Sequence, residues 1–238
     1  MAFSRGPSIV TDGLVLALDA ANPKSYPGSG NTIYNLVSKD TYPSMTLYGD
    51  TANYGSIGNG VVELGGAGNN SSSGTILRGV GAIGNTLESD FTTMGWQYRT
   101  SSKSGEIMSY RENSFRLSFD IENTVIVFYQ REQVVPYTIN STNVLVTNSL
   151  NTWNHFALSR SGNNWSFYKN GKFLQTNTFT PTETLTGGAF HIGGAWSDDD
   201  YISNCMDGFV GPTMHYTKAL SEQEIAQNYN ATKSRFGL

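Results

Sequence analysis

Charge is scarce in this chain. Only 14% of its 238 residues are Asp, Glu, Lys or Arg, against about a quarter in an ordinary soluble domain. The 15 basic and 19 acidic residues leave a net charge of −4, so there is no basic excess to meet phosphate, and nucleic acid and anionic membrane surfaces are demoted as partners on electrostatic grounds. Cysteine is almost missing as well. Cys205 stands alone, so no intrachain disulfide forms, and it reads as a buried, inert thiol. The three histidines, His155, His191 and His215, lie too far apart for zinc-ligand spacing. No apolar run nears the roughly 20 residues of a membrane-spanning helix, and MAFSRGPSIVTDG carries no apolar stretch of signal-peptide length. Membrane insertion and classical export are therefore not expected. Helical periodicity is absent almost everywhere.

Uncharged polar residues fill the space that charge leaves. Ser, Thr and Asn together number 72 and Gly another 26. Between their clusters recur short alternating runs of β-branched and aromatic residues, the pattern of half-buried strands. The spacing predicts strands near 14–19, 61–64, 75–80, 91–99, 106–110, 115–121, 124–129, 144–146, 153–160, 164–169, 172–175, 190–193 and 208–216. So many strands usually fold into two packed layers. Along 91–98 one face holds Thr92, Met94, Trp96 and Tyr98 and the other Phe91, Thr93, Gly95 and Gln97, and the first is the greasier. In 115–122 Phe115, Leu117, Phe119 and Ile121 alternate with Arg116, Ser118, Asp120 and Glu122, as in a half-buried antiparallel strand.

Asn170-Gly171, inside YKNGKF, supplies the positive backbone angles of a two-residue type I′ hairpin. The run SEQE at 221–224 is a capping box, with Ser221 as N-cap and Glu224 reaching back. Leu220 and Ile225 fit a hydrophobic staple, and the helix should run to about Ala231. The glycine-dense stretch 49–88 reads as loops within one domain, because strand-like runs continue through it. The chain then divides into residues 1–13, an N-terminal arm or first edge segment in which Phe3, Ile9 and Val10 offer apolar surface, and a single domain over 14–238.

The stretches TWNHFALSRSGNNWSFYKNGKFLQT (152–176) and FHIGGAWSDDDYISNCMDGFVGPTMHYTKALSEQEIAQNYNATKSRFG (190–237) resemble the laminin-G-like, concanavalin-A-like jelly-roll superfamily. The resemblance rests on a strand bearing Trp153, the Tyr-x-Asn-Gly hairpin at 168–171, Ile-Gly-Gly at 192–194, the glycine-bearing strand at 207–209, and Ala-Leu-Ser-x-x-Glu-Ile at 219–225. It implies an all-β fold, a two-sheet antiparallel jelly-roll sandwich with one short C-terminal helix. The beginning SIVTDGLVLALDAANPKSYPGSG and the ending NYNATKSRFG look more narrowly like the version found in virion proteins of tailed bacteriophages, especially marine ones. That implies a virion protein, assembled in the host cytoplasm and released by lysis. Its partners would be other virion proteins of capsid or tail, and it would act as a homo-oligomer or in many copies. A disulfide-free sandwich without an export signal fits such a life. The function implied is a surface-displayed structural protein, a capsid (head) decoration protein or short surface fibre that could bind host-surface glycans. The alternatives are a tail receptor-binding lectin module and, third, a polysaccharide depolymerase.

Glycosidases on this sandwich present Glu-x-Asp-x-Glu on one strand, so that alternation aims three carboxylates at one face. Here the run is Ser118-Phe119-Asp120-Ile121-Glu122. Asp120 and Glu122 are spaced for a paired-carboxylate role, but Ser118 stands where the first carboxylate is needed, and the chain is read as a non-enzyme. In AWSDDDY, Asp198, Asp199 and Asp200 crowd three carboxylates that repel unless solvated or sharing a hard cation. They are the candidate ligands for calcium, the one cofactor the sequence suggests. Trp196, with Asp198 and Asn204, is the candidate sugar-binding group, a flat ring beside hydrogen-bonding side chains. Trp96, Trp153 and Trp165 sit in strand patterns and read as packing residues.

Overall fold

A computed structural model of the chain describes residues 7–37, 44–51, 55–66, 74–80, 89–101, 105–112, 115–122, 125–131, 139–145, 150–178, 189–196, 202–203 and 205–238. Its strands, numbered in chain order, form two large sheets. The first runs β14 (Lys172–Thr178), β13 (Asn164–Lys169), β12 (Trp153–Ser161), β7 (Phe91–Arg99), β18 (Gly208–Tyr216), β5 (Val61–Leu64) and β4 (Ser56–Gly58), with β1 (Leu14–Leu18) also on β18. The second runs β11 (Ile139–Leu145), β10 (Val125–Arg131), β9 (Phe115–Glu122), β8 (Gly105–Glu112), β15 (Ala189–Ile192), β6 (Thr75–Val80), β3 (Met45–Gly49) and β2 (Thr32–Ile33). All these pairings are antiparallel. β5 and β6, inside the glycine-dense stretch, belong to opposite sheets, so each sheet draws a strand from it. β18 changes partner along its length, its start pairing with β5 and its end with β1. Pro212, which has no N–H to give a ladder, sits at that change, where the register against β7 also shifts.

Between the sheets lies the main core. Phe91, Phe156, Leu158, Trp165, Phe167 and Val210 of the first sheet meet Leu47, Leu77, Met108, Phe190 and Ile192 of the second. Because Phe91 points inward, alternation turns Met94 and Trp96 outward. The greasier face of β7 is therefore not the sandwich interior but the outer face of the sheet. It is buried because the C-terminus covers it.

That cover is α1 (Glu222–Thr232), followed by a 3₁₀ turn, Lys233–Phe236. Met94, Ala157, Tyr168, Met214 and Tyr216 of the sheet pack with Leu220 and Ile225, and with Ile9, Val10 and Leu14 from the start of the chain. The helix opens on the expected capping box: the Glu224 N–H donates to the Ser221 hydroxyl at 3.3 Å, and the Ser221 N–H donates to the Glu224 carboxylate at 2.8 Å. An isolated helix of this length is marginal in water, so docking holds it.

A closed ring of hydrogen bonds fastens both ends of the chain to the sheet. The Val10 N–H donates to Asn228 Oδ1 at 2.8 Å, Asn228 Nδ2 donates to the Tyr216 hydroxyl at 3.0 Å, and that hydroxyl donates to the Val10 carbonyl at 3.0 Å. Burial pushes the Tyr216 hydroxyl up to about 12, which keeps its proton available as the donor. Of the segment 1–13, residues 7–13 are described, and Ile9 and Val10 pack against their own domain. Asn228→Ala would leave the partly buried Val10 N–H without its partner, and is expected to cost about 1–3 kcal/mol. Urea unfolding measures the cost, and hydrogen exchange should show the Val10 amide opening ahead of the strands.

Candidate functional site

Past β15 the chain makes an excursion and returns to its starting point. The Met206 N–H donates to the Gly193 carbonyl at 2.7 Å, and the Ser109 hydroxyl donates to the Gly194 carbonyl at 3.1 Å. Within the excursion β16 (Ala195–Trp196) and β17 (Ile202–Ser203) pair antiparallel, Trp196 opposite Ile202. Leu77 belongs to the interior core, so its neighbour Ile76 faces outward on the second sheet, and there it is buried under Ile202 and Cys205. The hairpin is thereby pinned to that outer face. Burial also pushes the Cys205 thiol up to about 12, so it stays protonated and is no nucleophile.

Of the sequence-based candidates, Trp196 is placed by its backbone at the hairpin, while Asp198, Asp199, Asp200 and Asn204 lie outside the described residues. Among the described residues no group of three or more His, Cys, Asp or Glu is arranged to hold a metal ion, and no helix is long and apolar enough to cross a membrane.

The strand that carries Asp120 and Glu122 is β9. Its register sets Asp120 opposite Glu106 of β8, Glu122 opposite Val125 of β10, and Ser118 opposite Ser109. Sequence reasoning overlooked Glu106, because it is brought to Asp120 only by strand pairing. Ser109 itself is buried, with its hydroxyl 3.5 Å from His191 Nδ1. The position where a first carboxylate would be needed thus pairs with a serine already committed to holding the hairpin root.

The histidines are structural. His155 lies on the outer face of the first sheet under the helix, its ring 5.3 Å from Trp96 and 5.9 Å from Tyr229. His215 lies in the interior, stacked on Phe91 at 5.7 Å. Burial alone lowers each to about 3. Trp96 and Trp165 are buried, and the half-buried Trp153 packs on Phe236 at 4.3 Å.

A separate groove of about 780 Å³ opens on the other side of the sandwich, between the Asn170-Gly171 turn and α1. The turn has the predicted geometry, with φ of 51° and 72° at its two central residues. Gly171 is required for a second reason: a Cβ there would lie 2.9–3.0 Å from Tyr229, so its bareness lets the helix seat against the turn. Lys169 and Lys172 of the hairpin and Lys233 of the helix end share this groove. The sequence pattern missed it, because more than 40 residues separate the hairpin from the helix.

Residues 68–226 match the family model described as the concanavalin A-like lectin/glucanases superfamily. Among curated proteins no sequence matches. Similar solved structures include botulinum neurotoxin type C, whose cell entry depends on interaction with two ganglioside molecules (14% identity, TM-score 0.66, covering 92% of this chain and 51% of that one). Another is the binding domain of botulinum neurotoxin DC in complex with rat synaptotagmin II (13% identity, TM-score 0.66, 92% and 51%). A third is Trypanosoma rangeli sialidase in complex with the inhibitor DANA (14% identity, TM-score 0.63, 97% and 34%). The chain spans about half the length of the toxin chains. At such identities the likeness is one of fold.

Proposed function

Since the chain belongs to the concanavalin A-like lectin/glucanase superfamily, we propose that it is a lectin-like, carbohydrate-binding module displayed in many copies on a bacteriophage particle, as head decoration or a short surface fibre. The observation that carries the binding half is the hairpin closed at its root by the bond from Met206 to Gly193 and seated on Ile76. A root of this kind gives the two short strands a fixed support on the sheet. In this reading the Trp196 ring stacks on a pyranose face, Asp198 and Asn204 bond sugar hydroxyls, and Asp198, Asp199 and Asp200 hold Ca²⁺ where a cation is needed. Weak single contacts suffice, because many copies on one particle multiply them. The toxin bound up with gangliosides supports the idea that this sandwich serves glycan recognition. The virion half is supported by the phage-like ends of the chain and by its low charge and lack of disulfides.

On a glycan array, Trp196→Ala is expected to weaken binding at least tenfold, and a chelator to do the same if calcium takes part. Unchanged binding by the variant would remove the hairpin as the site. Immunogold on intact particles should label heads in many copies; label confined to the tail tip would favour the receptor-binding alternative. Release of sugar from capsular polysaccharide, abolished by Glu122→Gln, would overturn the non-enzymatic reading.

A further inference from the structure

We propose that the groove between the β13–β14 turn and α1 is a second binding site, taking an oligosaccharide that carries carboxylate or sulfate groups. The chain has only seven lysines and a net charge of −4, yet three of those lysines, Lys169, Lys172 and Lys233, line this one groove. None of the described residues lining it is acidic. Lys172 is exposed, and Lys233 lies over the Tyr229 ring at 5.4 Å. Neither has a carboxylate partner among the described residues. Lys169 itself turns its ammonium toward the Phe156 ring, 6.0 Å away and part of the interior core, so the charge offered to the groove comes from the other two. The opposing field is the C-terminal end of α1, equivalent to about half a negative charge. The ammonium groups of Lys172 and Lys233 outweigh it.

The remaining lining favours a sugar among anions. Phe173 is 45% exposed, a large ring left facing water at the groove's edge and suited to stack on a pyranose. Asn170 Oδ1 accepts the His155 N–H at 2.8 Å, which fixes the amide's orientation and leaves its NH₂ as a donor. The volume falls in the range of small-ligand sites, about 300–1,000 Å³. The site is independent of the hairpin on the opposite sheet, so the two readings fail separately.

Titration calorimetry on the full chain tests it with hexagalacturonate as the carboxylate probe, a heparin-derived hexasaccharide as the sulfate probe, and maltohexaose and hexaglutamate as controls. At least one acidic hexasaccharide should bind at least tenfold tighter than maltohexaose, with affinity falling as salt rises. Lys172→Gln/Lys233→Gln should reduce it at least tenfold with an unchanged melting temperature. Lys172→Glu, a single exposed change, should act in the same direction, and Trp196→Ala should leave it intact. The proposal is overturned if neither acidic probe binds, if maltohexaose binds equally, if the lysine variants bind like the parent, or if hexaglutamate binds as tightly.

Discussion

Between pH 6.5 and about 3 the protein is expected to lose roughly 1.4 kcal/mol of stability per pH unit for each of two histidines, His155 and His215. Both are neutral in the fold because burial leaves an imidazolium without water, and each is lowered from 6.5 to about 3. The unfolded chain takes up a proton at each below pH 6.5 and the folded chain does not. Stability is therefore complete above that value, drains away as the medium acidifies, and stops falling below the folded value. At pH 4.5 the two together would remove about 5 kcal/mol, a large share of the roughly 5–15 kcal/mol that a domain possesses. Glu224, lowered chiefly by its hydrogen bond from the Ser221 backbone, acts in the same direction at lower pH. Urea unfolding across this range measures the slope. His155→Phe removes one proton from the difference: Nδ1 of His155 has no hydrogen-bond partner among the described residues, and the ring sits among aromatics. The variant's slope should fall by about half, whatever its absolute stability. An unchanged slope would mean that His155 is not held neutral.

Trp96→Ala is expected to cost about 3–5 kcal/mol, the range for emptying a large buried aromatic site. Trp96 is fully buried, lies 4.4 Å from Phe236 and 5.5 Å from Tyr229, and donates from Nε1 to the Thr232 hydroxyl at 2.8 Å. It joins the central strand of the first sheet to the last two turns of the chain. The loss should be uneven. Amides of 222–236 are expected to exchange faster in the variant than those of β12 or β7, because α1 has little stability of its own. Trp165→Ala, which empties a site in the main core, serves as the comparison and should loosen the sheets as much as the helix. Equal acceleration everywhere in Trp96→Ala would show that the helix is held by other contacts.

What could be read from the chain alone was local. The capping box at Ser221 and Glu224 and the turn at Asn170-Gly171 involve neighbours in sequence, and both have the predicted geometry. The same chemistry at Asn59-Gly60, φ of 51° and 77°, makes the hairpin between β4 and β5, yet it went unread because glycines crowd it on both sides. The pattern predicts a strand at 144–146, whereas β11 spans Ile139–Leu145; its polar start carries little pattern and is strand because it pairs with β10. β2, β3, β16 and β17 are short strands drawn in by their partners in the same way.

The order of apolar and polar residues is enough to specify many strands, two layers and one closing helix, since side-chain alternation and capping act over a few residues. Folding had to settle which face of β7 meets the other sheet and which meets the C-terminus, that Glu106 stands opposite Asp120, and that Lys172 and Lys233 share a groove. Alternation specifies two faces but not what covers each. That depends on segments distant in the chain, brought together by the burial of apolar surface.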